Sequence, residues 1–408
     1  MSINIESTKL YSQLLTLQKN PIHTSNAKLY IGNIEHILTY IPSLLARISN
    51  TFPHYTDHAI NHSITIIDRI SKCISKDTLE NMTPTEIFII ITSAFLHDVG
   101  MVVPEREYPE IEKNSEYKKL LEDKRLSIFF DQIKIARKNN DFWAEAFNRR
   151  FIISEYTRRF HTDRSANFVI KLTPELSVLA LTNNDLREAI SRVCRGHGFS
   201  DRTLFENDEL YPRSCIINND EVDLAICAIL LRIGDLLDLG HERACPLLFT
   251  INRPLLGDSS SHWGKHNAVK LPVISQNMIK ISGLCDTQDE HALLYTWCKW
   301  LKDEVIYGTA LATESNRFHL SVGIPEINIK PKKTGSYEFR QYRFEIDQQE
   351  MFTKMFGERL YRNRCLFIRE LIQNAIDATR CKLMYDISEG KWDKELKIVN
   401  QKDRPIAP

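Results

Sequence analysis

The chain has 408 residues, enough for two or three domains. Its 53 Lys+Arg balance 53 Asp+Glu, so no global basic field gathers nucleic acid or an anionic membrane surface. At 43% hydrophobic and 26% charged residues it reads as soluble and globular, with no run near the roughly 18 apolar residues of a membrane span. The first 50 residues show helical apolar spacing at Leu10, Leu14, Leu15 and Leu17 and again at Ile34, Ile37, Leu38, Ile41, Leu44 and Leu45, which predicts two or three helices. The segment PHYTDHAINHSITIIDRI follows, with Pro53 as a helix start and His54, His58 and His62 at four-residue steps, stacked on one helical face. After a polar stretch, Thr83 is placed to cap a buried helix, IFIIITSAFL, that runs into His97 and Asp98. Beyond Gly100 the charged run EREYPEIEKNSEYKKLLEDKR reads as a loop-like, solvated face before more helix through Ile133 and Ala146.

ISEYTRRFHTDRSANFVI is helical in composition and sets His161 beside three arginines, and REAISRVCRGHGFSD brings a helix to a stop at Gly196-His197-Gly198. EVDLAICAILLRIGDLLDLG, the most apolar helix, carries Asp235 in its buried face, Asp238 one turn on, and Gly240 as a C-cap. From about residue 246 the texture changes to alternating pieces (LPVISQ, MIKISG, FHLSVGI, INIKP), a polar loop GDSSSHWGKHN, and one helix, HALLYTWCKWLKDEVIYG. A linker at residues 331–335 precedes a strand, YEFRQYRFEI, and a long helical pattern to the C-terminus. The nine cysteines are odd in number and contain no CxxC, which argues against a disulfide framework and predicts reduced thiols. MSINIESTKLYSQ has no basic start followed by an apolar stretch, so the cytoplasm is the expected compartment.

Taken singly, a histidine in an apolar helix is more often a hydrogen-bonded core residue, and an aspartate near a helix end is more often a cap. Here His62, His97-Asp98, His161, His197 and Asp235 all interrupt apolar helical runs. Imidazole nitrogen and carboxylate oxygen without sulfur suit divalent Mn, Fe, Co, Ni or Zn, and ligands from several helices suit a bundle core. The order of these residues resembles the HD-domain metal-dependent phosphohydrolases: NHSITII matches their first-histidine helix, FLHDVG their namesake doublet and LLRIGDLLD their last aspartate. The resemblance implies that His62, His97, Asp98 and Asp235 hold one metal. In the two-metal branch His161 and His197 add a second, with Asp98 as the catalytic bridge. Such a pair of ions, roughly 3.5–4 Å apart, activates water and stabilises the leaving oxygen in phosphoester hydrolysis, most often of a nucleotide. Arg158, Arg159, Arg164 and Arg195 stand where they could grip phosphate or simply pair with surface acids. His58 is left open between an outer donor, a substrate contact and a ligand, while His54 is placed outside the site and Asp238 is read as structural. The cluster His262, Trp263, Lys265 and His266 either edges the pocket or is only a loop.

Near the C-terminus, LFIRELIQNAIDATR carries Glu370, Asn374 and Asp377 at i, i+4 and i+7, one polar stripe on an apolar helix. An ordinary amphipathic helix has the same pattern. The stretch also resembles the N-box of the GHKL ATPases, closest to the heat-shock chaperone branch, with the strand and helix before it in the family's order. That resemblance implies Glu370 as general base, Asn374 as Mg2+ ligand and Asp377 as a supporting residue near ATP. The family's DxGxG motif does not follow, so the expectation is a truncated or degenerate ATPase that binds ATP and Mg2+ only when complete.

The fold expected is mainly α: an all-helical HD domain, an α+β connector and an incomplete GHKL-type α/β sandwich. The expected divisions are residues 1–50 (helices packing on the HD domain), 51–245 (HD domain), 246–335 (connector) and 336–408 (start of the ATPase). The function expected is metal-dependent hydrolysis of a nucleotide or other phosphoester at a dinuclear His/Asp site, coupled to a chaperone-like ATP-binding module. Fusions of this kind resemble bacterial conflict or stress-response proteins. A non-catalytic nucleotide or metal sensor is the alternative, which loss of one ligand would favour. No membrane partner and no strong nucleic-acid signal are expected; a homodimer or protein partner would engage the C-terminal region.

Overall fold

The computed structural model describes residues 4–53, 55–56, 58–171, 183–240, 243–244, 257–315, 317–339 and 366–388. It divides into two compact units, residues 1–339 and 340–408. The architecture is mainly helical with a small mixed sheet. Among the described residues no single helix is long and apolar enough to cross a membrane.

The first unit opens with α1 (Lys9–Leu17), α2 (Thr24–Leu45) and the short α3 (Ile48–Thr51), whose apolar faces enter the main core. The next helix, α4 (Ile60–Cys73), does not begin at Pro53 as the sequence suggests. His58 therefore precedes the helix, and its Nδ1 donates to the Thr56 carbonyl at 2.6 Å. After α5 (Lys76–Asn81) comes α6 (Pro84–Leu96), capped as expected: the Thr83 hydroxyl accepts from Glu86 N and the Glu86 carboxylate accepts from Thr83 N, with Pro84 in the first turn. Its isoleucine run is a poor local helix former. Burial on every side, against α1, α2 and α4, outweighs that preference.

The charged stretch after Gly100 is not a loop. It forms α7 (Tyr108–Lys113) and α8 (Ser115–Lys119), and their apolar residues Tyr108, Ile111 and Tyr117 join a second small core with α9 (Ser127–Lys138) and α10 (Phe142–Lys171). α10 is one continuous helix from the small core to the main one, and α11 (Asn184–Gly196) packs along it. A two-stranded antiparallel hairpin that the sequence reading missed, β1 (Cys215–Ile217) and β2 (Asp220–Val222), turns on Asn218 and Asn219, both at positive φ, ahead of α12 (Leu224–Leu236).

The segment read as the polar loop GDSSSHWGKHN is instead α13 (Gly257–Ala268), which packs on the later helix α14 (Gln288–Ser315). β3 (Val273–Ser275), β4 (Met278–Cys285) and β5 (Glu326–Pro331) form a sheet in that order, antiparallel then parallel. FHLSVGI does not add a strand: it makes a single bridge, Leu320 to Ile74, that ties the connector to the end of α4. Pro331, expected in a linker, is the last residue of β5.

In the second unit the described residues form α15 (Leu366–Ser388). Glu370, Asn374 and Asp377 are exposed on it, and Gln373 donates to Asp377 at 3.2 Å. The strand YEFRQYRFEI beyond its first residues, and the start of the long helical pattern, lie outside the described residues. The described cysteines Cys73, Cys194, Cys215, Cys227, Cys285, Cys298 and Cys381 are free.

Candidate metal centre

Two glycines bring the helices close enough to share a site. A Cβ on Gly100 would lie 2.2 Å from the His161 carbonyl oxygen and 2.5 Å from Ser165 N, so only glycine lets the turn after α6 rest on α10. That contact is tied by Gly100 N donating to Ser165 Oγ at 2.8 Å and Arg164 Nε donating to the Gly100 carbonyl at 2.8 Å. A Cβ on Gly234 would lie 2.6 Å from Ile70 Cγ1, and this close approach of α12 to α4 delivers the neighbouring Asp235 to His62.

Asp98 sits at the centre, 6% exposed. Its Oδ2 lies 3.5 Å from His62 Nε2 and 3.2 Å from His97 Nε2, and its Oδ1 lies 3.6 Å from His161 Nε2 and 3.9 Å from His197 Nε2. Two sets of ligand atoms, His62-His97-Asp98 and Asp98-His161-His197, are each mutually within 4.8 Å. Asp235 approaches His62 Nε2 at 3.4 Å but stands outside both sets. His58 Nε2 is 4.0 Å from Asp98 Oδ2, at the margin of the first.

The other ring nitrogens are all engaged. His97 Nδ1 donates to the Ala94 carbonyl at 3.0 Å, His161 Nδ1 to Arg158 at 2.8 Å and His197 Nδ1 to Cys194 at 2.5 Å. His62 Nδ1 donates to Asp238 Oδ2 at 2.5 Å. A carbonyl accepts only from N–H, so His97, His161 and His197 carry a proton on Nδ1 and, as neutral rings, turn the Nε2 lone pair inward, while His62 does so once its second proton has left. Among the described residues His62 Nε2 and His97 Nε2, both buried, meet no hydrogen-bond partner, and the Nε2 atoms of His161 and His197 face each other at 3.0 Å. Two lone pairs at that distance repel unless a cation lies between or beside them. The donor set fits a divalent metal: N and O atoms around one ion stand about 3 Å apart.

Burial and the nearby Arg243 guanidinium oppose charge on His62, yet its hydrogen bond to Asp238 and the closeness of the Asp98 carboxylate prevail and lift its pKa to about 9. Burial, with Arg243 beside one ring and His97 beside the other, pushes His58 and His197 well below the usual imidazole range. Asp98 is held well below the usual carboxylate range: burial works against this, but the surrounding imidazoles, His97 first, outweigh it.

The site opens into a cavity of about 520 Å³ walled by Tyr55, Arg158, Arg202, Trp297 and Trp300. Of the four arginines singled out in the sequence, only Arg158 lines it. All four are paired with acids: Arg158 with Glu155, Arg159 with Asp123, Arg164 with Glu107 and Arg195 with Asp163, at 2.9–3.1 Å.

Three participants escaped sequence reading. Asp238, taken as structural, is the acceptor that orients His62. Arg232 Nη1 donates to the carbonyls of Gly196, His197 and Phe199 at 2.8, 3.1 and 2.9 Å, fixing the end of α11 that carries His197. Glu304 on α14 holds Arg232 from the other side at 2.5 and 3.1 Å. The spacing of Asp235 and Asp238, one helical turn apart, was the available signal for the first; nothing in the sequence pairs Arg232 with Glu304. Trp263, Lys265 and His266 are buried on α13, not in a loop, with Lys265 Nζ 3.2 Å over the Trp297 ring. His54 and the His262 side chain lie outside what the structure describes.

Residues 52–307 match the family model HD-CE. No curated protein and no solved structure matches the chain.

Proposed function

Because this chain belongs to the HD-CE family, we propose that it is a metal-dependent phosphohydrolase that cleaves a phosphoester, in the first instance of a nucleotide, at a dinuclear centre. One observation carries the reading: Asp98 turns one oxygen to the His62–His97 pair and the other to the His161–His197 pair, and every Nδ1 is already committed. In this proposal His62, His97, Asp98 and Asp235 hold one ion, and Asp98, His161 and His197 hold the other. Bound there, a divalent metal pair supplies Lewis acidity, a water of lowered pKa and charge neutralisation at phosphorus.

The chain's own residues do the remainder. Asp238 fixes the His62 tautomer and raises its basicity as a ligand. The main-chain carbonyls of Ala94, Arg158 and Cys194 do the same for the other three rings. Tyr55, whose hydroxyl donates to Glu155 at 3.0 Å, and Trp297, whose indole donates to the Leu236 carbonyl at 2.9 Å, give the cavity rigid walls.

The test is elemental analysis coupled to a screen of nucleotides and phosphodiesters with added Mn2+. Two ions per chain and turnover abolished in Asp98→Ala are expected; no metal and no turnover after Mn2+ addition would sink the proposal. The coupling to an ATP-binding module rests only on the polar stripe Glu370, Asn374 and Asp377 of α15. It predicts that ATP changes the hydrolytic rate only of a form that carries the complete ATP-binding domain, and that Glu370→Ala removes that response.

A further inference from the structure

This inference rests on the phosphoester reading. Among the described residues four arginines line the cavity beside the metal centre, and three are spoken for. Arg158 is held by Glu155 at 3.1 Å and Arg243 by Asp238 at 3.5 Å. Arg232 is saturated by three carbonyls and Glu304. Arg202 is different. Its Nε donates to Glu304 Oε1 at 2.9 Å, while its two Nη groups meet no acceptor among the described residues, and its side chain is 31% exposed. Its own carbonyl is pinned by the Tyr307 hydroxyl at 3.0 Å.

Glu304, 1% exposed, thus lies between two guanidiniums: Oε1 serves both Arg202 and Arg232, and Oε2 serves Arg232 alone. One carboxylate against two guanidiniums leaves a surplus positive charge on the cavity wall. A guanidinium clamped at Nε keeps its Nη pair in a fixed plane, the geometry that takes two oxygens of a tetrahedral oxyanion.

We propose that Arg202 is the residue that grips the substrate phosphoryl group, through its two Nη groups on the non-bridging oxygens, and that Glu304 is a positioning residue that presets it. The arginines nearest the ligand histidines in sequence do not have this role: each is paired with an acid, and of the four only Arg158, held by Glu155, lines the cavity.

Titration of the Mn2+-loaded chain with inorganic phosphate, followed by calorimetry, tests the proposal without relying on turnover. Arg202→Ala weakens phosphate binding about tenfold or more, with Mn2+ content unchanged. Arg202→Lys recovers only part of the loss, because a point charge cannot make two parallel bonds, and millimolar guanidinium restores binding to Arg202→Ala alone. With turnover available, the same variant raises KM with a smaller change in kcat. Glu304→Gln, which keeps its shape, falls between wild type and Arg202→Ala. Equal phosphate affinity in wild type and Arg202→Ala overturns the role of Arg202 and leaves the phosphoester reading standing. Loss of Mn2+ from Arg202→Ala makes the residue structural and also overturns it. A wild-type chain that binds Mn2+ but no phosphate overturns both.

Discussion

Metal binding to this site must displace a proton from His62. With its pKa lifted to about 9, the folded ring is mostly imidazolium at pH 7.5, with no lone pair for a metal. Stripping that proton costs roughly 1.5 pH units, about 2 kcal/mol, and apparent affinity rises about tenfold per pH unit until pH 9 and then levels off. His58 and His197, held neutral by burial, and Asp98, held ionised by its imidazoles, add nothing to this count. Asp238 is the largest upward influence on His62, with Asp98 next, so Asp238→Asn lets burial and Arg243 pull the ring's pKa down, and we expect it to be largely neutral at pH 7.5. The variant loses an orienting partner, worth about 10–100-fold in affinity, but is spared a penalty of roughly 30-fold at pH 7.5. The two nearly cancel there, and the full deficit appears only above pH 9. Calorimetry of Mn2+ binding in buffers of different ionisation enthalpy reads the protons released: His62 contributes about one in wild type and close to none in Asp238→Asn. Equal release by the two proteins, or a variant whose affinity rises with pH as steeply as wild type, refutes the reasoning.

Three further outcomes follow from the same geometry. Gly100→Ala places a methyl 2.2 Å from the His161 carbonyl; α10 must move by about 1 Å, so on the two-metal proposal an ion at His161–His197 would be lost before one at His62–His97, readable as one Co2+ per chain and a changed visible spectrum. Arg232→Met leaves Glu304 short of a partner and three carbonyls without their donor; a loss of about 3–5 kcal/mol is expected in denaturant unfolding. Glu86, fully buried beside Arg317, has its carboxyl pushed up to about 7, burial being the largest cause. Since its folded pKa exceeds the unfolded value of 4.5, its stabilising effect is complete below pH 4.5 and is lost as pH rises through 7, an amount near 3 kcal/mol. Unfolding measured at pH 5 and pH 8 should show wild type losing more stability than Glu86→Gln by that margin; equal losses would remove Glu86 as the titrating group.

What was legible in the sequence was whatever a single helix decides for itself. Thr83, Pro84 and Glu86 form a complete N-terminal signal, and the apolar run they introduce has to end where His97 and Asp98 begin. Asp235 is conspicuous because almost everything around it on α12 is buried and apolar. Local signals failed where burial or backbone turns overrode them. GDSSSHWGKHN has little helical preference, yet becomes α13 with Trp263, Lys265 and His266 buried. The spacing of His54, His58 and His62 promised one helical face, but α4 starts only at Ile60.

The partners that make histidines into candidate ligands are a different kind of information. That His62 needs Asp238, and not the nearer-looking Asp235, depends on how closely α12 approaches α4, and that distance is set by the missing side chain of Gly234 against Ile70. That His197 is steadied from α14 depends on Arg232 and Glu304, 72 residues apart, meeting in the core. Periodicity reports which face of a helix is buried and is silent on what that face meets. Sequence points to the arginines adjacent to the histidines as candidate phosphate contacts for the same reason: along a chain, nearness in sequence is the only distance available. In the fold those arginines meet Glu155, Asp123, Glu107 and Asp163, whereas Arg202, on no helix with a candidate metal ligand, lines the cavity with two Nη groups that meet no acceptor among the described residues, because Glu304 takes only its Nε.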